Sequence, residues 1–260
     1  MERFDTVVVG AGQAGIATSE HLTAHGIEHV VLERARVAER WRTARWDSLV
    51  ANGHAWHDRF PNLEFPGDAD AFADKATVVE YFERYAARFE APIRTGVDVL
   101  DITPEPGGFH LQTRTGEMRA KHVVAATGPF QKPALPPLVP ENAGRLQLHS
   151  SAYQNPAQLP EGAVLVVGGG SSGTQIAEEL MSSGREVYLS IGPHDRPPRC
   201  YRGRDNVWWL GVLGKWNADT PGPGTEHVTI AVSGAHGGKT IDFRALAHRG
   251  DSLVGMTSGY

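Results

Sequence analysis

The sequence predicts an α/β fold of two similar strand–turn–helix–strand units in tandem, with a small antiparallel β-meander in the first. Three observations predict it. Two β-branched apolar runs, Thr6–Val9 and Ala163–Val167, read as strands buried on both faces. Each runs directly into G-x-G-x-x-G, at Gly10–Gly15 and Gly168–Gly173, and then into a helical pattern, Ile16–His25 and Thr174–Ser183. Each helix leads to a further short strand, His29–Leu32 in the first unit and Glu186–Leu189 in the second.

The glycines of the first turn have separate physical roles. Gly10 lets the chain turn off the strand, Gly12 lets backbone approach a pyrophosphate, and Gly15 allows close helix–strand packing. Free N–H groups and a positive dipole end at Gln13 and Ala14 would face the phosphates. The second strand ends at Glu33, about twenty residues on, whose carboxylate suits both hydroxyls of an adenosine ribose and repels a 2′-phosphate. These residues, with the adjacent Arg34, predict a Rossmann-like dinucleotide site.

After Glu33 the chain is rich in Arg and Trp and lacks periodicity as far as Gly67. A loop this long in a compact domain is more often functional; its arginines suit phosphates and its tryptophans a flat ring system. His54, His57 and Asp58 invite a metal reading, but no third ligand stands at a recognisable spacing. Val78, Tyr81, Phe82, Tyr85 and Phe89 lie at helical spacing within Asp74–Phe89, an amphipathic helix covering the sheet. Short strands follow at Ile93–Thr95, Val97–Ile102, Phe109–Thr113 and Glu117–Arg119, and Lys121–Ala126 returns as a buried strand ending in Ala126-Thr127-Gly128. Pro129–Pro140, with five prolines, reads as a linker.

In the second unit no acid stands where the first has Glu33. The strand ends in Ser190, followed by Arg196, Arg199, Arg202 and Arg204, which favours a 2′-phosphate and hence NADPH over NADH. Gly168, Gly170, Ser171, Ser172 and Gly173 form the phosphate turn. Gly169–Gly173 also fits G-x-S-x-G of serine hydrolases, but the glycine-rich segment at His236–Gly238 follows the serine instead of preceding it. Val207–Trp216 is strongly apolar and reads as core, with a substrate pocket or an interface between the units as the alternatives. His227–Ser233 alternates like a strand, Phe243–His248 is a short helix, and Leu253–Met256 suggests a last strand.

Bulk properties narrow the function classes. A formal charge of −5 without a long basic run argues against nucleic acid. No apolar stretch is long enough to span a bilayer, and the first strand begins at once, so a soluble cytoplasmic protein is expected. The single cysteine, Cys200, excludes an internal disulfide, a Cys-x-x-Cys redox pair and a cysteine-rich metal site.

With both turns placed, the chain resembles the class B flavoprotein monooxygenases: flavin-containing monooxygenases, plant indole-pyruvate monooxygenases and bacterial relatives. The resemblance implies a glutathione-reductase-like two-domain arrangement, with residues 1–140 binding FAD and 141–260 binding NADPH. By it, Gly10, Gly12, Gly15 and Glu33 hold the ADP half of FAD, and Trp41 and Arg45–Leu49, which includes Trp46, lie beside the flavin. Ser48-Leu49-Val50-Ala51-Asn52 with Phe65-Pro66 resembles the family's S-L-x-x-N…F-P, whose asparagine adjoins the reactive flavin carbon. Val99 takes the place of a backbone contact to adenine, Thr127-Gly128 resembles the A-T-G closing the FAD unit, and Gly168, Gly170 and Gly173 match the NADPH loop. His149–Tyr153 keeps the family's H-S-x-x-Y, without its preceding phenylalanine and with Gly144 one position off.

The resemblance also implies a C-terminal return to the FAD unit; Met256–Tyr260 does not match it, so a shortened chain is expected. The implied reaction takes hydride from NADPH to FAD and oxygen from O₂ through a C4a-(hydro)peroxyflavin to a small organic substrate, by N or S oxidation, Baeyer–Villiger or related oxygenation. Asn52 is the catalytic candidate, an amide able to donate and accept together. The alternatives are a flavin-dependent NADPH oxidase or reductase and a truncated, non-catalytic nucleotide-binding relative. A disulfide reductase is disfavoured because Cys200 has no partner in the chain. Strand edges left unpaired by a missing return are a route to homo-oligomers.

Overall fold

The computed structural model describes residues 1–140, 143–192, 198–218, 232–250 and 252–257. The chain divides into two compact units. One comprises Met1–Arg45, Arg59–Phe65 and Lys75–Pro133; the other comprises Trp46–Asp58, Pro66–Asp74 and Ala134–Tyr260.

In the first unit β1 (Glu2–Val9), α1 (Gln13–Ala24), β2 (His29–Glu33), α2 (Glu39–Thr43), α3 (Lys75–Arg88), β3 (Ile93–Thr95), β4 (Val99–Glu105), β5 (Gly108–Thr113) and β6 (Gly116–Ala125) follow in order. They build one mixed sheet, β3-β2-β1-β6-β5-β4. The first four of these strands pair in parallel, and β5 and β4 complete the sheet antiparallel. Val7, Val8 and Val31 are fully buried, as a strand covered on both faces requires. α3 turns Val78, Val79, Tyr81, Phe82, Tyr85 and Ala86 inward. Phe60 stacks on Tyr85 at 4.2 Å and Phe65 on Tyr81 at 3.8 Å between ring centroids. Such aromatic pairs add about 0.5–1.5 kcal/mol each beyond the area they bury. Inside the α1–β2 hairpin, buried Ser19 and His29 lie 2.7 Å apart. The other His29 nitrogen donates to the Ile27 carbonyl at 2.9 Å, so the ring accepts from the serine hydroxyl.

The meander corrects one expectation. Glu117–Arg119 and Lys121–Ala126 are one strand, β6, and Ala120 pairs with Phe4 on one side and Phe109 on the other. No glycine or proline separates the two stretches, so nothing breaks the ladder. The antiparallel strands β4 and β5 come between the parallel β3 and β6 in sequence, as expected, and extend the sheet beyond β6. The end of β6 is also half to fully exposed, where a buried strand was expected.

The second unit contains β7 (Val164–Val167), α4 (Ser171–Ser182), β8 (Val187–Ser190), β9 (Cys200–Tyr201), β10 (Arg204–Asp205), α5 (Asn206–Val212), the kinked turn α6 (Ala235–Gly238), α7 (Phe243–Arg249) and β11 (Ser252–Val254). Its three-stranded sheet, β11-β8-β7, is parallel throughout. α7 begins at Asp242, whose carboxylate caps the N–H groups of Arg244 and Ala245. β7 is not the doubly buried strand that its composition suggests: Leu165 and Val167 are 52 % and 53 % exposed. It is the edge of its sheet, and α4 packs on one face while the side chains of Leu165 and Val167 lie on the other. The apolar run over α5 is not core either, since no residue of that helix is buried. Val207, Trp208, Trp209 and Leu210 are half-buried and Val212 is exposed. Of the strand expected over His227–Ser233, all but the last two residues lie outside the described residues.

Candidate functional site

The two glycine turns are built alike. Gly10 and Gly168 both take a positive φ, +108° and +113°, which disfavours side chains. A Cβ on Gly15 would stand 1.8 Å from the Gly10 carbonyl oxygen, and one on Gly173 1.9 Å from that of Gly168. The third glycine thus lets the helix pack against the turn. By contrast, a Cβ on Gly12 or Gly170 would meet nothing within 4 Å. Those glycines keep open space in front of the helix. Each is also the N-cap of its helix and offers no side-chain cap. The first intrahelical bonds are Ile16 N to Gly12 O and Thr174 N to Gly170 O, both 3.0 Å. The N–H groups ahead of them have no intrahelical partner. An open cradle, N–H groups outside the helix's own ladder and a positive helix end fit a pyrophosphate at each turn.

Glu33 is held in place before any ligand arrives. Its Oε2 accepts from Ala11 N at 2.9 Å and its Oε1 from Ala35 N at 3.0 Å. The carboxylate therefore braces the first turn, with further lone pairs left over. The Ala126-Thr127-Gly128 segment lies directly against Gly10, since a Cβ there would be 2.6 Å from the Ala126 oxygen. Gln131 donates to the Thr127 carbonyl and accepts from Arg34 at 2.8 Å. Val99 opens β4 and packs against the core around Val7 and Leu111. Gln13 and Ala14 are exposed at the start of α1.

The strand register moves the position equivalent to Glu33. Val9 pairs with Leu32, and Val167 pairs with Ser190. Gly10 N donates to Leu32 O at 2.8 Å and Gly168 N to Ser190 O at 2.9 Å. Ser190 thus matches Leu32, and Ile191 matches Glu33. Ser190 is 2 % exposed, with its hydroxyl taken by Gly255 O and Thr257. It is not available to a ribose; an apolar side chain stands in its stead. Arg196 lies outside the described residues. Arg199 is buried, 2.5 Å from the Asp205 carboxylate and over the Phe72 ring, so it is structural. Arg202 and Arg204 are exposed and lie over Tyr201 and Trp208.

A polar ladder on α4 organises the segment that carries Asn52. Ser171, Gln175 and Glu179 recur every fourth residue, on one face of the helix. Ser171 Oγ accepts from Val232 N at 3.1 Å. Gln175 Nε2 donates to Asn52 Oδ1 at 2.9 Å and to Val232 O at 3.1 Å. Glu179 accepts from Ser48 Oγ and from the Tyr153 hydroxyl, both at 2.7 Å. Burial, followed by the bonded Glu179 carboxylate, pushes the Tyr153 hydroxyl well above the ordinary tyrosine range. Ser48 and Tyr153, from two separate motifs, thus share one carboxylate. Gly234 completes the seat, since a Cβ there would be 1.9 Å from Ala51 O. Sequence reasoning missed Gln175, Glu179 and Gly234. The recurrence of polar groups at every fourth position of the helix was the available signal for the first two.

The remaining candidates differ in exposure. Trp46 and Leu49, placed beside the flavin by the resemblance, are buried. Trp41 is half-buried with Arg45 over its ring at 5.7 Å. His54 bonds Asp205 at 3.0 Å and His57 bonds Asp58 at 2.7 Å, so each histidine is tied to a different carboxylate. Among the described residues no cluster of three metal-ligating side chains occurs, and no helix is long and apolar enough to cross a membrane. Ser172 is exposed at the start of α4.

Comparison with known proteins agrees with this architecture. Residues 7–199 match the model of the pyridine nucleotide-disulphide oxidoreductase family. The chain is 40 % identical over 216 residues to an uncharacterized CzcO-like oxidoreductase of Geobacillus kaustophilus, covering 82 % of this chain and 62 % of the relative. It is 33 % identical over 191 residues to the indole-3-pyruvate monooxygenase YUCCA1 of Oryza sativa, covering 71 % of this chain and 47 % of that protein. The solved flavin-containing monooxygenase of Stenotrophomonas maltophilia superposes with a TM-score of 0.73 at 22 % identity, over 100 % of this chain and 79 % of that one, a likeness of fold. The chain spans 62–63 % of the length of the CzcO-type relatives it matches.

Proposed function

The chain belongs to the pyridine nucleotide-disulphide oxidoreductase family, and from that premise we propose that it is an FAD- and NADPH-dependent oxidoreductase of the monooxygenase kind. On this reading the two units are tandem Rossmann-like sites. Gly10, Gly12, Gly15 and Glu33 hold the ADP half of FAD, and Gly168, Gly170 and Gly173 hold the pyrophosphate of NADPH. The observation that carries the reading is the duplicated turn, with the same positive φ, the same helix contact and the same open cradle at its middle glycine. FAD, when bound, supplies hydride acceptance and oxygen activation. The protein's own part is to bind, orient and shield. Glu33 fixes the first turn and accepts from ribose hydroxyls, and Ile191 leaves room for a 2′-phosphate that a carboxylate would repel. Asn52, exposed and tethered through its oxygen, offers an amide donor to the reacting cofactors.

A small organic substrate and O₂ complete the reaction. The similarity to an oxidoreductase and to an indole-3-pyruvate monooxygenase supports oxygenation as the reaction class. The test is a visible absorption spectrum of the purified chain, reconstituted with FAD, before and after NADPH without oxygen. A flavin spectrum that bleaches, followed by ¹⁸O incorporation into product in air, is the expected result. A chain that FAD cannot reconstitute overturns the reading; bleaching with release of H₂O₂ alone reduces it to an NADPH oxidase.

A further inference from the structure

We propose that Gln175 is a positioning residue that fixes Asn52 as an outward hydrogen-bond donor, serving an acceptor oxygen of the nicotinamide dinucleotide. The ligand in this statement rests on the proposed NADPH site; the polarity does not.

The polarity follows from one atom that cannot change its role. The main-chain carbonyl of Val232 only accepts, and it lies 3.1 Å from the Gln175 amide, so the group facing it is Nε2. Val232 is held from its other side, its N–H donating to Ser171 Oγ at 3.1 Å. The same Gln175 Nε2 lies 2.9 Å from the Asn52 amide. Its second N–H needs an acceptor there, so Asn52 must turn Oδ1 inward. Gln175 is 8 % exposed, which leaves little water to substitute for either partner. Asn52 Nδ2 then points away from Gln175 without a partner among the described residues, on an exposed residue. The chain of roles runs from carbonyl to glutamine to asparagine, and at its end stands a donor.

The ligand follows from where the relay begins. Ser171 starts α4 directly after the glycine turn, and Gln175 lies one turn further, roughly 6 Å along the axis. A dinucleotide with its pyrophosphate at that turn has ribose and carboxamide oxygens within its own length of the relay, and these accept hydrogen bonds. A glutamate in place of Gln175 would reverse the relay. Its carboxylate could only accept, so Asn52 would turn Nδ2 inward and present oxygen instead.

A double-mutant cycle tests this, with NADP⁺ titrated into the full chain by calorimetry. Gln175→Glu and Asn52→Asp are each expected to weaken NADP⁺ by about three- to tenfold, the value of one hydrogen bond. Gln175→Met removes the relay without adding charge and should weaken binding by a similar factor. Gln175→Met with Asn52→Asp should lose little beyond either single change, because both remove the same donor. Additive losses overturn the proposal. Spectra of the ligand-free chain labelled with ¹⁵N-asparagine give a second readout, with the Asn52 side-chain pair assigned by its loss in Asn52→Asp. In Gln175→Glu that pair should move downfield as Nδ2 bonds the new carboxylate; an unmoved pair overturns the relay. If the wild-type chain binds no NADP⁺, the NADPH reading falls and with it the named ligand, while the spectra still decide whether Gln175 sets the polarity of Asn52.

Discussion

Replacing Gly12 and Gly15 by alanine, one at a time, should separate ligand binding from folding within a single turn. At Gly15 the new Cβ would lie 1.8 Å from the Gly10 carbonyl oxygen, where real contacts stay beyond 3.0 Å, so α1 or the turn must shift by more than an ångström. Overpacking of that kind costs about 1–3 kcal/mol. For a chain of this size the melting temperature should fall by about 2–12 °C. At Gly12 the new methyl meets nothing within 4 Å, and φ of −87° is open to alanine. Alanine is a poorer N-cap than glycine by roughly 0.5–1 kcal/mol, but it also restricts the unfolded chain by a similar amount. The net change should stay within about 1 kcal/mol, or about 3 °C. The methyl does, however, occupy the space in which a pyrophosphate would approach the backbone, and FAD affinity should drop at least about tenfold. Thermal melts by circular dichroism without nucleotide, and FAD titration followed by flavin fluorescence, measure the two effects. Gly12→Ala binding FAD like the wild type would refute the cradle, and Gly12→Ala melting as low as Gly15→Ala would refute the division of roles.

Ile191→Glu places a carboxylate where the register matches Glu33, and it should shift the NADPH-to-NADH affinity ratio at least about tenfold toward NADH; an unchanged ratio removes Ile191 from the cofactor's ribose. Tyr153→Phe deletes a hydroxyl bonded to a carboxylate, and near neutral pH it should cost about 1.5–3 kcal/mol in urea denaturation. Because the folded-state pKa of Tyr153 is raised, the folded chain keeps a proton that the unfolded chain releases above about pH 10. Wild-type stability should therefore fall as pH rises past that point, and the variant should fall less steeply; parallel curves would contradict the buried, carboxylate-bonded hydroxyl. Arg199→Leu takes the guanidinium from the buried Asp205 carboxylate, which keeps only His54 and the Val207 N–H, at a cost of about 3–5 kcal/mol; a variant as stable as the wild type would show the ion pair to be dispensable.

The start of the first unit was legible because its elements are local and its first two strands, β1 and β2, are covered in the sheet's centre. Thr6–Val9, the glycine turn, α1 and His29–Glu33 follow one another in sequence, and hydrophobic period and turn chemistry agree at each step. α3 was legible for the same reason, with its buried residues at helical spacing. β6 was misread because a partner changes along it, from β5 alone at Gly116 and Glu117 to β1 alone beyond Ala120, and no residue marks the change. β7 was misread because its apolar composition says how a strand is usually covered, while coverage depends on what packs against it. α4 does so on one face, and Leu165 and Val167 remain at the surface.

The site divides along the same line. Glycines report their own backbone, so both turns could be placed from sequence, and the register then needed only the strand pairing to move the acid-equivalent position from Ser190 to Ile191. The contacts that orient Asn52 could not be read this way. Gln175 meets Asn52 across 123 residues, and Glu179 meets Ser48 across 131. Neither glutamine nor glutamate is unusual on a helix. What gives them meaning is that two residues four apart on α4 meet two residues four apart on an irregular segment, which side-chain spacing on the helix alone cannot reveal. Because Glu179 binds Tyr153 as well, the tyrosine of the H-S-x-x-Y motif acts on the Asn52 segment at one remove, through a carboxylate that the motif does not contain. Loss of the Tyr153 hydroxyl should then loosen the hold on Ser48 while leaving Gln175 and Asn52 joined, so the motif's effect on the site is graded along the α4 ladder and not all-or-none.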